Sequence, residues 1–508
     1  MNRGLQTHTT SEKEPGPRPA VLREEGLATL IALIALAIFS LLSFYMAFGA
    51  KTELRISDNY ESEVQATFAA RAGLTHAREV IRGLQYNDLL AGPDGTYNNA
   101  AGYLSAARTF AFRNPVPWAT ARSLNILNPV SDLTGFADDG VMSTGKYGGT
   151  NGTPLVPLTG IAETAPNPYG AGTITTARYF VKVTDNNGEA TEVAPGADFL
   201  NNPFVDGDNI IIVRSMGVAQ TIHQTVAGTV RRNSVAVAET RFRMRTTFNL
   251  DAPFVVEGPD VAFSRNRFFD GNSFDIDGGA GNPGIATIDT NTGDTVSLEQ
   301  TLESALTKNQ QNNISGNCAD PCVTDITGTI VPGTDKALLM SPSYLWDLVY
   351  NVVPRFADAV YQGDQHWDST TAPFLGSYDW TKDPNDVTQN PRTTYVNGDL
   401  DLSGDITGGG LLVVTGKLNG NGHCIWNGLV LVIGEGDLDM SGWNLGVHGG
   451  MFVAKLVNNS GTIEFGTPNV TIAGNSNVVI HSDSISMGMR QIAPEQIGYR
   501  EINSMMDP

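Results

Sequence analysis

GDLDLSGDITGGGLLVVTGKLNGNGHCIWNGLVLVIGEGDLDMSGWNLGVHGGMFVA occupies residues 398–454. Within it GDLDLSG (398–404) returns as GDLDMSG (436–442), and each copy leads through a glycine pair into an apolar run, GGLLVV (409–414) and GGMFVA (449–454). Between them lies GLVLVIG (428–434). The apolar runs begin at Leu411, Leu429 and Met451, 18 and 22 residues apart. A unit of that length cannot bury its apolar face alone and must stack on its neighbours, so the spacing predicts one coil of a β-solenoid per repeat.

Working outward, NVTIAG near Asn469 and NVVIHS near Asn477 supply further coils downstream, and FVVEG at Phe254 and NSFDIDGG at Asn272 supply them upstream. The solenoid is therefore expected over 251–490, with 491–508 as a C-terminal tail. Two helical insertions are expected inside it, near 297–308 and 341–361. Ser297 and Gln300 have the spacing of a capping box before Leu298, Leu302 and Leu306. Ser341-Pro342 opens the second, with Leu345, Leu348, Val349, Val352, Phe356 and Val360 on one face and Pro354 placed to kink or interrupt it. Both are expected to cover a flank or end of the stack.

Parallel β-helices can host polysaccharide-cleaving carboxylate pairs. Here Asp399, Asp401, Asp405, Asp437 and Asp439 fall mostly in the repeated turn motifs, which points to backbone geometry. His423, His448 and His481 show no metal-ligand spacing. DNNGE at Asp185 and DGNSFDIDGG at Asp270 read as turns, since Asp, Asn and Gly favour turns with or without an ion. No nucleophile elbow, phosphate loop or dinucleotide fingerprint is present, and no cofactor is expected. Cys318 and Cys322, in NCADPC, are placed for a short-loop disulfide or for two metal ligands lacking partners; Cys424 sits in an apolar stretch.

Upstream of the solenoid, RYFVKVT (178–184), NIIIV (209–213) and SVAVAETRFRMR (234–245) read as strands of a β-rich head spanning 85–250. Before them the chain from Gln85 to Thr176 is rich in Gly, Pro, Asn and Thr and reads as loops and short strands. The N-terminal part differs in kind. LATLIALIALAIFSLLSFYMAFGA, residues 27–50, holds no charge between Glu25 and Lys51 and is long enough as a helix to cross the roughly 30 Å hydrocarbon core of a membrane. Helical spacing continues to Leu84 through Val64, Phe68, Ala72, Val80 and Ile81, so one helix is expected over 27–84, with an amphipathic outer half.

Gly26, the apolar run and QATFAARAGLTHAREVI (65–81) together resemble the N-terminal region of PilX-type minor pilins, with matches at Gln65, Ala66, Ala69, Ala70, Ala72, Gly73, Leu74 and Ala77. Arg71 stands where that family usually has an acid. The match covers the first sixth of the chain, and residues 408–436 resemble the C-terminal part of large PilX-like proteins more loosely. The resemblance implies a leader (1–26) cut by prepilin peptidase between Gly26 and Leu27, methylation of the new amino terminus, and a single-pass helix in the bacterial inner membrane before assembly into a surface-exposed type IV pilus. It implies pilins, minor pilins and an inner-membrane assembly platform as partners, with a surface or glycan ligand at the tip as a further expectation.

Two features depart from the major pilins. The fifth residue after the cut is Ile31, where they carry a glutamate that pairs with a neighbour's amino terminus, so the subunit is expected at a filament tip. The leader carries four basic and four acidic residues, and the positive-inside rule sets no orientation. The whole chain has 53 acidic against 32 basic residues, a net charge of -21, which disfavours nucleic acid as a partner. The expectation is thus a non-enzymatic, mainly β minor pilin or pseudopilin. The alternatives are a membrane-anchored β-helix enzyme acting on polysaccharide and an anchored adhesin independent of pili.

Overall fold

The computed structural model describes residues 22–86, 118–123, 126, 160–166, 173–186, 206–225, 228–263, 274–291, 293, 296–382, 388–472 and 475–502. Residues 1–21, most of the expected leader, and most of the loop-rich stretch after Leu84 lie outside them. The chain divides into two compact units, Met1–Ser62 and Glu63–Pro508. It is mainly β, 42% strand, with one long helix, Leu22–Ile81. From Leu27 onward that helix is long and apolar enough to cross a membrane, and its large apolar side chains from Leu27 to Phe48 are all exposed.

In the second unit, the helix segment after Ser62 lies on a five-stranded antiparallel sheet. Its order is Gly160–Pro166, Thr173–Asp185, Ile210–Thr225, Gly228–Arg243 and Glu495–Ile502. The three runs expected as strands, at 178, 209 and 234, all lie within it. Its last strand comes from the expected tail. Residues 495–502 pair antiparallel with 237–243, giving an otherwise open edge a partner.

The repeat region forms a 16-stranded, largely parallel sheet. One row of registered residues runs Ala359, Thr394, Leu412, Val430, Met451, Phe254, Ile285, Val323. Neighbouring repeats are offset by 18 residues at Leu412 and Val430, as the sequence spacing predicts. Val430, however, pairs with Met451, because a register shift between Asn419 and Asn421 sets that offset. The rows also do not follow chain order. Phe254–Gly258, early in the chain, pairs with Asp437–Asn459, and the chain then passes from one end of the row to the other between Val323–Asp325 and Ala359–Gln362.

Two burial patterns explain two sequence textures. In LDLS, Leu400 and Leu402 face an interior core while Asp401 and Ser403 are half-buried on the other face, hence the alternation. In the unbroken runs, Leu412, Val414, Val430, Val432, Met451 and Val453 enter that same core. Their neighbours Leu411, Val413, Leu429, Leu431 and Phe452 enter a second one, roofed by Leu345, Leu348, Val349 and Val353 and by Ile485 and Met489 of the helix Ser482–Arg490. Strands buried on both faces read as continuous apolar runs.

The glycine preceding each run is set by the stacking. Gly410, Gly428 and Gly449 share one register and all have positive φ. A methyl on Gly428 or Gly449 would strike the carbonyl of the glycine in the preceding repeat. Both helical insertions form, but the second ends at Phe356, and Ala359–Gln362, expected as its last turn, is instead a strand, because its backbone pairs with residues 394–397 of the next repeat. Ser297 and Gln300 make the reciprocal capping box, and Ser341 caps the second helix with Pro342 in its first turn. Pro354 does not end that helix; a π-turn, Leu348–Val352, lies between Pro342–Asp347 and Val353–Phe356, a wider turn that fits around the residue lacking an N–H.

Candidate functional site

Most of the residues carrying the family resemblance lie on one face of the helix; Ala72 among them is exposed, as is Phe68 of the expected apolar spacing. Ala66, Ala69, Ala70, Leu74, Ala77, Val80 and Ile81 are buried. They pack on Ala177, Tyr179, Val181, Val213, Ala219 and Ala238 of the sheet. Small residues let the two backbones approach. A side chain on Gly217 would meet the Ala66 carbonyl and the Ala70 amide, and one on Gly73 would meet Ser215 and Tyr179. The Ala-rich face, which the sequence offers equally to a globular domain or to neighbouring helices, is thus occupied by the chain's own sheet.

Arginines fasten the same helix segment to the C-terminal region. Arg71 donates to Glu501 at 2.7 Å and to the Tyr499 hydroxyl at 3.1 Å. The Tyr499 hydroxyl in turn donates to Glu501 at 2.9 Å, and the bonds from Arg71 and then Tyr499 hold the Glu501 carboxyl below its usual range. Arg78 donates to the Pro494 carbonyl and lies 4.6 Å from the Phe356 ring centre. Arg82, nearly buried, donates to Asp358 at 2.9 Å, and Asp358 also accepts from the Thr393 amide at 2.8 Å. The Gly83 amide donates to the Arg490 carbonyl at 2.7 Å. The helix, the last strand and the parallel rows are therefore tied together at one junction.

The other candidates fall as follows. Gly26 lies inside the helix Leu22–Ile81, and Leu27 and Ile31 are exposed on it. Cys318 and Cys322 form a disulfide. Cys424 is buried in the interior core, where desolvation pushes its thiol up to about 11. The repeated aspartates bond to the next strand: Asp399 accepts from the Lys417 amide, Asp401 from Asn419, and Asp437 from Asn469. Asp277 accepts from the Gly279 amide and from Ser315. Asn186 of DNNGE donates to Asp208; the rest of that turn after Asn186 lies outside the described residues.

Sequence order hides one cluster. His448 and His481 meet at Trp380, with ring centres 6.0 and 4.4 Å from the indole, and His448 Nδ1 lies 3.0 Å from Asn427 Oδ1. Burial, and then His481, lowers the His448 pKa. Only the registry of Asn427 with His448 across two repeats brings these residues together. His423 remains exposed and apart.

Comparison with protein-family models, with curated proteins and with solved structures finds no match to this chain. Any functional reading therefore rests on the residues and their geometry.

Proposed function

We propose that the chain is a minor pilin or pseudopilin of the PilX-like type, a non-enzymatic subunit that takes part in building a type IV pilus or related filament. The observation that carries this reading is the division of labour along one helix. From Leu27 to Phe48 its large apolar side chains are all exposed, and its second half presents an Ala/Gly face to an antiparallel sheet. That is the plan of a pilin: an apolar stem for membrane and filament, and a head clamped to the end of it.

In this reading prepilin peptidase cuts between Gly26 and Leu27, and the helix rests in the bacterial inner membrane until the assembly platform extracts it to pack against other pilins. Ile31 provides no carboxylate for a neighbour's amino terminus, which suits a subunit at the tip. The antiparallel sheet is the pilin head. The parallel rows, with their stacked glycine corners, are a β-solenoid displayed at the cell surface.

Mass spectrometry of the protein recovered from native membranes tests the reading. A methylated amino terminus at Leu27 is expected, and Gly26→Asp should abolish both cleavage and recovery in sheared pili. An intact leader in cells with active prepilin peptidase would overturn it.

A further inference from the structure

Beside the helical roof, the outer face of the parallel rows is cut by an open groove of about 540 Å³ lined by Trp346, Tyr350, Glu435, Lys455, Asn458 and Asn469, within the size range of small-molecule sites. The π-turn carries Tyr350 to the same side as Trp346, with ring centres 4.2 Å apart and planes tilted by 35°. Both rings pack against the second core, and the Tyr350 hydroxyl lies over Gly434, where any side chain would displace it. The aromatic wall is thus set before any ligand arrives.

Opposite it, polar groups come from consecutive strands in register: Gly434 pairs with Lys455, and Asp437 with Asn469. Asn469 already donates to Asp437, and Asn458 already accepts from the Gly461 amide. The indole N–H of Trp346, the Glu435 carboxylate and the Lys455 ammonium make no hydrogen bond or ion pair among the described residues. The groove therefore holds uncommitted donors and acceptors beside aromatic faces, repeated at the strand spacing of about 4.8 Å.

We propose that this groove binds a short stretch of neutral polysaccharide. Pyranose rings present C–H faces that pack on Trp346 and Tyr350 and a rim of hydroxyls that both donate and accept. Glu435 and Asn469 Oδ1 would take hydroxyl protons, and Lys455, Asn458 and the indole N–H would donate. A lipid chain would leave these groups unpaired. A polyanion would meet Glu435 and Asp437 on a chain of net charge -21.

The test is calorimetric titration of the purified full chain in detergent with cello-, chito-, malto- and xylohexaose, a measurement independent of filament assembly. At least one probe should saturate with a Kd of about 1 mM or tighter. Trp346→Ala should weaken binding at least about tenfold. Because Trp346 also packs against the second core, Lys455→Ala and Glu435→Gln, which remove no core packing, should each weaken it about threefold or more with an unchanged melting temperature. Absence of saturation with all four probes, heat from calcium chloride alone, or affinities unchanged in the three variants would overturn the proposal.

Discussion

The helix-covered antiparallel sheet and the parallel rows bury their apolar residues in opposite ways. At the sheet, Ala66, Ala70, Gly73 and Gly217 are small, and the backbones of helix and strand nearly touch. In the rows, Leu411 to Val414 and Leu429 to Ile433 send large side chains to both faces, and glycine is required where repeats stack, at Gly410, Gly428 and Gly449. Sequence neighbours make the first structure: three of its five strands pair with the next strand in the chain. The second is assembled from distant pieces, and its strand at 254–258 pairs with residues about two hundred positions away. Packing surface can therefore be bought with closeness or with volume, and each choice leaves its own weak points.

The sharpest way to break the comparison is at the two glycines. Gly428→Val places a side chain on the Gly410 carbonyl at positive φ and should cost about 3–5 kcal/mol, lowering the melting point of the full chain in detergent. Gly217→Val pushes the helix off the sheet and should cost about 2–3 kcal/mol, with hydrogen exchange rising in residues 66–81 while the parallel rows stay protected. Equal exchange in both regions would show that they unfold as one.

The junction comes next. Arg82→Ala removes the partner of Asp358, which is largely buried, and should cost about 3 kcal/mol by denaturant titration. An effect near zero would mean that the Thr393 amide alone is enough for Asp358.

A smaller effect, of opposite sign, is expected within the rows. Glu257 is fully buried on the strand that joins Asp437–Asn459 to Ile285–Asp289, neither of its oxygens has a hydrogen-bond partner among the described residues, and desolvation raises its pKa well above 4.5. The folded state thus holds a proton that the unfolded state releases, so the contribution of this group to stability is fully present below about pH 4.5 and is lost as pH rises through the folded-state pKa. Glu257→Leu should add about 1–3 kcal/mol at pH 7 and remove that decline. Melting curves from pH 4 to pH 8 that slope equally in both proteins would rule it out.

The smallest effect is expected at the surface pair. Arg71 and Glu501 are about half exposed, and Arg71→Ala should cost about 1 kcal/mol or less, diminishing further in salt.

Much of this was legible beforehand. The glycine-plus-apolar-run repeat marks the parallel rows, Ser297 and Gln300 mark a cap, and residues 27–50 mark an apolar helix, because each depends on neighbours within a turn or on a fixed period. The C-terminal strand was not legible, because 495–502 alternates poorly and is ordered by pairing with 237–243. Nor was the groove: Trp346, Glu435 and Asn469 meet only through registry between repeats, and no spacing along the chain encodes that meeting.

By itself the sequence determined the kinds of element this protein contains: the long apolar helix, the strands of the sheet, the repeated runs and the capped insertions. Hydrophobic period and backbone preference act over a few residues, so they can be read locally. The tertiary structure alone decided which surfaces those elements spend on one another. It gave the Ala-rich helix face to the chain's own sheet, joined residue 254 to residue 451, and drew two histidines to one tryptophan. Those choices follow from shape and hydrogen-bond registry between segments far apart in the chain, where closeness in sequence has no influence.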